Sequence, residues 1–98
     1  MKQTGKEHIH FIGIGGSSMS GLAELAAKQG CLVSGSDRTD SEKLRHLREK
    51  GIRIYPSQSS DNITDDIDLV VYTLAVPDSN PELAEARRRR IPVVERGV

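Results

Sequence analysis

Disulfides, tryptophan and an excess of charge of either sign are all missing from this sequence, and each absence narrows what the chain can be. The single cysteine, Cys31, excludes an internal disulfide and fits a reducing compartment. There is no Trp, and the aromatics are only Phe11, Tyr55 and Tyr72, which argues against a base-stacking platform. Lys+Arg and Asp+Glu both number 14, so formal net charge is zero, whereas general nucleic-acid and membrane-surface binders carry a basic excess. No apolar run reaches the length of a signal peptide or a membrane span. A chain of 98 residues sets an expectation of one domain whose core is built from Ile, Leu, Val and Ala. The class expected is a small, soluble, cytoplasmic domain.

What is present is a hydrophobic period that keeps changing. His8-Ile9-His10-Phe11-Ile12-Gly13-Ile14 reads as a buried strand ending in glycines. From Met19, apolar residues recur at helical offsets (Leu22, Ala23, Ala26, Ala27), and Gly30 stands where a helix C-cap would. Residues 31–35 make a second strand. Residues 41–50 make a thin amphipathic helix around Leu44 and Leu47, ended by Gly51, and residues 52–55 a third strand stopped by Pro56. A polar stretch with one helical turn near Asn62 precedes a strand at residues 68–73. Asn80-Pro81-Glu82 is a helix start, with a cap, a proline at the first position and an early acid. Residues 91–94 close with a fifth strand.

Strands alternating with helices imply an α/β fold, a Rossmann-like, doubly wound, five-stranded parallel sheet in the order 3-2-1-4-5. Ligands on such sheets bind beyond the carboxyl ends of the strands. The loops of interest are therefore residues 13–20, 36–40, 55–59 and 73–80.

Gly13, Gly15 and Gly16 lie between a strand and a helix, followed by Ser17, Ser18, Met19 and Ser20. Glycines there permit the tight turn and let a phosphate approach the backbone, where N–H groups at a helix start meet it. Ser18 stands at the third glycine of the usual pattern, so a turn that needs glycine for geometry alone is the competing reading. Asp37 follows the second strand, 22 residues beyond Gly15, where such sheets place an acid against ribose hydroxyls; a solvated loop acid is the alternative. The ATP-binding GxxxxGK[ST] loop is absent. His8 and His10 alternate on the first strand without a third ligand, so they read as ordinary histidines at a strand's beginning. Asp61, Asp65, Asp66 and Asp68 read as a solvated turn, and Arg87 to Arg90 as a hydrated helix end.

The segments from His10 to Gly16, from Met19 to Glu24 (MSGLAE) and from Val33 to Asp37 (VSGSD) together closely resemble the start of the Mur ligase family of peptidoglycan synthesis. The resemblance continues through Ala75-Val76, Asn80-Pro81-Glu82 and the segment from Ile91 to Arg96, and so covers nearly the whole chain. It implies that residues 1–98 are the N-terminal, UDP-N-acetylmuramate-binding domain of a three-domain ligase. That ligase would join L-alanine to the sugar nucleotide, driven by ATP with Mg2+. The central ATP-binding and C-terminal domains would lie outside this chain, which alone would bind no cofactor and carry no catalytic residue. N–H groups from Gly15 to Met19 would face the diphosphate, Gly13 would open the turn, and Ser36, Asp37 and Arg38 would lie near the uridine. Thr73, Leu74 and Ala75 would line the opposite side. Two departures stand out: Gly16-Ser17-Ser18 replaces a Gly-Ile-Gly of the family, and Gln58 stands where the family often carries a His before Asn62. The alternatives are a ligase that recycles a tripeptide onto the same nucleotide sugar, and a regulatory NAD-sensing domain. No nucleic acid or membrane is expected as a partner, and oligomeric state has no signal in the sequence.

Overall fold

The computed structural model describes residues 6–39 and 41–96, with the side chain of Ser17 left undescribed. Asp40, part of the second loop of interest, lies outside the described residues. Five strands, β1 (His8–Ile12), β2 (Leu32–Ser36), β3 (Arg53–Tyr55), β4 (Leu69–Tyr72) and β5 (Val93–Glu95), form one sheet in the order β3-β2-β1-β4-β5. All four pairings are parallel, with Phe11 of β1 opposite Gly35 of β2 and Val71 of β4. The expected order and winding are those observed.

Each helix forms where its ends are chemically marked. In α1 (Ser17–Lys28) the stripe begun by Met19 and Ala23 is buried, and Gly30 ends the run at φ +94°, a conformation that favours glycine. The Ser41 side chain caps α2 (Glu42–Glu49) by accepting from the Leu44 N–H, while Leu44 and Leu47 drive into the core. In α3 (Pro81–Arg88) the Asn80 side chain accepts from the N–H groups of Glu82 and Leu83, and Pro81 occupies the first position, where its missing N–H leaves no bond unmade. A 3-10 turn at Ser60–Asn62 precedes β4.

The sheet divides two cores. On one face α1 and α2 cover Phe11, Val33 and Val71, together with Ile14, Leu44, Leu47 and Ile52. On the other, α3 packs Leu83 and Ala86 on Ile12, Val70, Ile63 and Ile67. Gly35 is required by close approach: a Cβ there would lie 2.6 Å from Ile14 Cδ1 and 2.9 Å from the Phe11 carbonyl oxygen. Its bare backbone lets Ile14, inside the first turn, reach complete burial against the sheet.

Candidate functional site

The turn after β1 is held almost entirely by its own backbone. Gly13 takes φ +77°, and the N–H groups of Gly13 and Ile14 both donate to the Ser36 carbonyl, at 2.9 and 3.0 Å. The Gly15 N–H donates to Asp37 Oδ2 at 2.8 Å, and the Gly16 N–H to the Gly13 carbonyl at 3.1 Å. A Cβ on Gly15 would stand 2.7 Å from Asp37 Oδ2, so any larger residue there would have to displace the Asp37 carboxylate. Gly16 is the N-cap of α1 and offers no side chain to cap it. The helix therefore opens on the loop with no cap from its N-cap residue and the positive end of its dipole outward, an anion-seeking arrangement.

That helix end borders a cleft of about 470 Å³ beyond the carboxyl ends of β1, β2 and β4. Gly13, Gly16, Ser18 and Met19 line it from the turn, Asp37 and Arg38 from the end of β2, and Thr73 and Ala75 from the loop after β4. Those eight predicted residues are brought together. Gly15 sits behind the lining, its N–H engaged by Asp37. Ser20 is buried within α1. Ser36 is fully buried, and its hydroxyl donates to Glu82 Oε1 at 2.8 Å, turned away from the cleft. Leu74 is 76% exposed and does not line the cleft. Of the N–H groups expected to face a diphosphate, those of Gly15 and Gly16 are thus already bonded, which leaves the set at Ser17, Ser18 and Met19.

Ile12, Gln58, Val76, Pro77 and Asn80 line the cleft without having been singled out as site residues. The signal for two of them was available: Asn80 is the cap of a marked helix start, and Gln58 stands at a noted departure. The Asn80 amide donates to Gln58 Oε1 at 2.7 Å, so the third and fourth loops are tied across the cleft wall.

Behind that wall lies a buried polar cluster that the sequence reading did not foresee. Glu82 is fully buried and accepts four hydrogen bonds. His10 Nε2 (2.7 Å) and the Ser36 hydroxyl reach Oε1; the Ser59 N–H (3.1 Å) and the Asn62 amide (2.8 Å) reach Oε2. Burial pushes this carboxyl up, but donation from His10, Asn62 and Ser36 outweighs it and holds Glu82 below the usual carboxylate range. His8 and His10 are therefore not ordinary strand-end histidines; both bond Ser34 Oγ, at 2.7 and 2.8 Å. Asp66 and Asp68 likewise leave the expected solvated turn: Asp66 Oδ2 contacts His8 Nδ1 at 2.9 Å, and Asp68 Oδ2 accepts from the His8 N–H. The arginine run is also paired rather than simply hydrated, with Arg87 on Asp78 and over the Tyr72 ring, and Arg88 and Arg89 on Glu85.

A parallel, doubly wound sheet with a glycine turn leading into an uncapped helix, opening on a cleft at the strand ends, defines a nucleotide-binding type of α/β domain. The family model described as "Mur ligase family, catalytic domain" matches residues 8–97, and the chain belongs to that family. It is 55% identical over 89 residues to the UDP-N-acetylmuramate–L-alanine ligase of Agathobacter rectalis, covering 91% of this chain and 19% of that protein. The crystal structure of UDP-N-acetylmuramate-alanine ligase from Thermotoga maritima superposes with a TM-score of 0.86 at 44% identity, over 91% of this chain and 20% of that one. A Neisseria ligase that acts with UDP-N-acetylmuramate and L-alanyl-gamma-D-glutamyl-meso-diaminopimelate matches with a TM-score of 0.82 at 27% identity, over 92% of this chain and 28% of that one. The chain spans about a fifth of the length of the curated relatives it matches. Among the described residues, no helix is long and apolar enough to cross a membrane, and no group of three or more His, Cys, Asp or Glu is placed to hold a metal ion.

Proposed function

We propose that this chain is the N-terminal, UDP-N-acetylmuramate-holding domain of an ATP-dependent ligase that joins L-alanine to that nucleotide sugar in peptidoglycan synthesis. The observation that carries the reading is the uncapped N-terminus of α1 opening on the cleft, in a chain 55% identical to ligases of that name. The diphosphate would take the N–H groups of Ser17, Ser18 and Met19, aided by the helix dipole. Asp37 is anchored by the N–H groups of Gly15 and Thr39, so its carboxylate is held in place beside Arg38 at the uridine end. Thr73 and Ala75 would close the opposite side. ATP, Mg2+ and L-alanine would be held by parts of the longer ligase, since the phosphate-gripping GxxxxGK[ST] loop does not occur in these residues. Greater likeness to alanine-adding relatives, at 44–55% identity, than to the tripeptide-adding Neisseria ligase, at 27%, favours the alanine-adding reading.

Titration of the amide spectrum with UDP-N-acetylmuramate tests the assignment, with NADH and ATP as controls. Shifts at residues 17–19, Asp37, Arg38, Thr73 and Ala75 produced by the nucleotide sugar alone are expected. A matching response to NADH would move the chain to the sensing class, and a folded sample silent to the nucleotide sugar would overturn the domain's role as a binding unit on its own.

A further inference from the structure

The buried polar cluster carries an inference that does not depend on what the cleft binds. From Asp66 a continuous chain of four contacts crosses the sheet: Asp66 to His8 (2.9 Å), His8 to Ser34 (2.7 Å), Ser34 to His10 (2.8 Å) and His10 to Glu82 (2.7 Å). Each contact needs one proton between its two heavy atoms. Two neutral imidazoles and one hydroxyl supply three, and the two carboxylates supply none when ionised. The chain is one proton short.

The carboxylates are poor places for the fourth. Glu82 already accepts four donors, two of them an N–H and an amide that cannot reverse direction. The Thr64 hydroxyl holds the Asp66 carboxyl below its ordinary value against the opposing effect of burial, with His8 adding to the lowering. The remaining places are the ring nitrogens of His8 and His10. The charges facing them are Asp66 and Asp68 from the segment before and into β4, Glu82 from α3, and Arg53 from β3 beside Tyr55. Three carboxylates against one arginine favour a cation on the pair.

We propose that residues 64–66 form a proton-dependent latch, closed on β1 while the His8–His10 pair carries one shared proton and released when that proton leaves. Release falls at the outer contact for a geometric reason. His10 and Glu82 are fully buried, and three protons suffice for the inner three contacts; Asp66, with its side chain 54% exposed, can turn to water. Its departure would widen the cavity of about 330 Å³ that His8, Ser34, Arg53, Tyr55, Thr64 and Asp66 border on the β2–β3 side of the sheet. The folded chain then binds one proton more than the unfolded chain above about pH 6.5, where ordinary histidines deprotonate. Stability is greatest near that pH, because below it the two histidines of the unfolded chain bind a second proton that the folded pair does not, and it falls as pH rises, by up to about tenfold per pH unit in the folded-to-unfolded ratio.

Asp66→Asn supplies the missing proton from its own amide, because Nδ2 can donate to a neutral His8 Nδ1. Denaturant unfolding of wild type and Asp66→Asn between pH 7.5 and 9 is the experiment, joined by imidazole 15N spectra of the wild type. His46, half exposed beside Glu24, is common to both proteins and cancels in the comparison. The expected result is a one-proton slope in the wild type, absent in Asp66→Asn, with three ring N–H groups shared by His8 and His10 at pH 6.5. The amides of Thr64 and Asp66 should move with the same midpoint as the rings. Equal slopes in the two proteins, or two neutral rings at pH 6.5 with the Thr64 and Asp66 amides unmoved, would overturn the latch. If Asp66→Asn does not fold, the ring count in the wild type decides alone.

Discussion

The two faces of the sheet solve the same packing problem by different chemistry. Under α1 and α2 the contact is mainly apolar, with Phe11, Val33, Leu44 and Leu47 filling it. On the opposite face, α3 covers β4 and part of β1 with Leu83 and Ala86, but toward β2 and β3 the filling turns polar: His10, Ser34, Ser36 and Glu82. No buried side-chain nitrogen or oxygen among the described residues lacks a hydrogen-bond partner, so the polar half is as fully satisfied as the apolar half is filled. The difference lies in directionality. Apolar packing tolerates a shift of a few tenths of an ångström, whereas a carboxylate accepting four donors from β1, β2, the 3-10 turn and its approach fixes those elements relative to α3.

The largest break in this comparison is expected on the apolar face at Gly35. Gly35→Val should destabilise beyond the ~1–3 kcal/mol usual for overpacking, because a Cβ there meets backbone as well as the Ile14 side chain. Urea unfolding would show it, and a variant within about 1 kcal/mol of wild type would mean that Ile14 does not rest on Gly35. Next comes the polar face. Glu82→Ala should cost about 3–5 kcal/mol by leaving buried donors without an acceptor, while Glu82→Gln, which keeps one oxygen, should cost less. Equal losses in the two would deny the carboxylate its special role.

The same carboxylate gives an acid-side signature. Its folded value lies below the ordinary 4.5, so its contribution is present above pH 4.5 and is lost as pH falls through the folded value. Acid unfolding monitored by circular dichroism should show that loss in wild type and not in Glu82→Gln. The smallest effect is expected at the joint between faces and cleft. Asn80→Ala should cost about 0.5–2 kcal/mol as a lost cap, and should also release Gln58, seen as a change in its side-chain amide resonances. An unmoved Gln58 would sever the cleft wall from the helix start.

Where the sequence carried a periodic or steric signal, the structure follows it. Strand order, all three helices and the turn near Asn62 were legible because alternating periods and glycine or proline punctuation are local. Boundaries moved by a residue or two: α1 starts at Ser17 rather than Met19, and β5 runs Val93–Glu95 rather than from Ile91. Of the eight predicted residues that line the cleft, those of the first turn and Asp37 were legible because glycine turns and strand ends locate ligand sites in this fold, while Arg38, Thr73 and Ala75 came from the family resemblance. The partnership of His10 with Glu82 was not legible, since 72 residues separate them and neither type carries a periodicity. Reading Glu82 as an early helical acid was locally correct and missed that α3 turns it into the sheet. Ser36, which the family resemblance placed near the uridine, turns instead toward Glu82: β2 is covered on both sides, and alternation along a doubly covered strand does not tell which face is wet.

Ile14 gives the turn after β1 a property beyond its shape. Its side chain is a plug seated in the sheet where Gly35 leaves room, so the turn is immobilised when the chain folds and not when a ligand arrives. An incoming anion therefore meets donors already aimed, and the entropy of ordering the loop is not charged against its affinity. It follows that Gly35, which is no part of the cleft lining, is a place where binding strength can be lost without altering a single contact to what is bound.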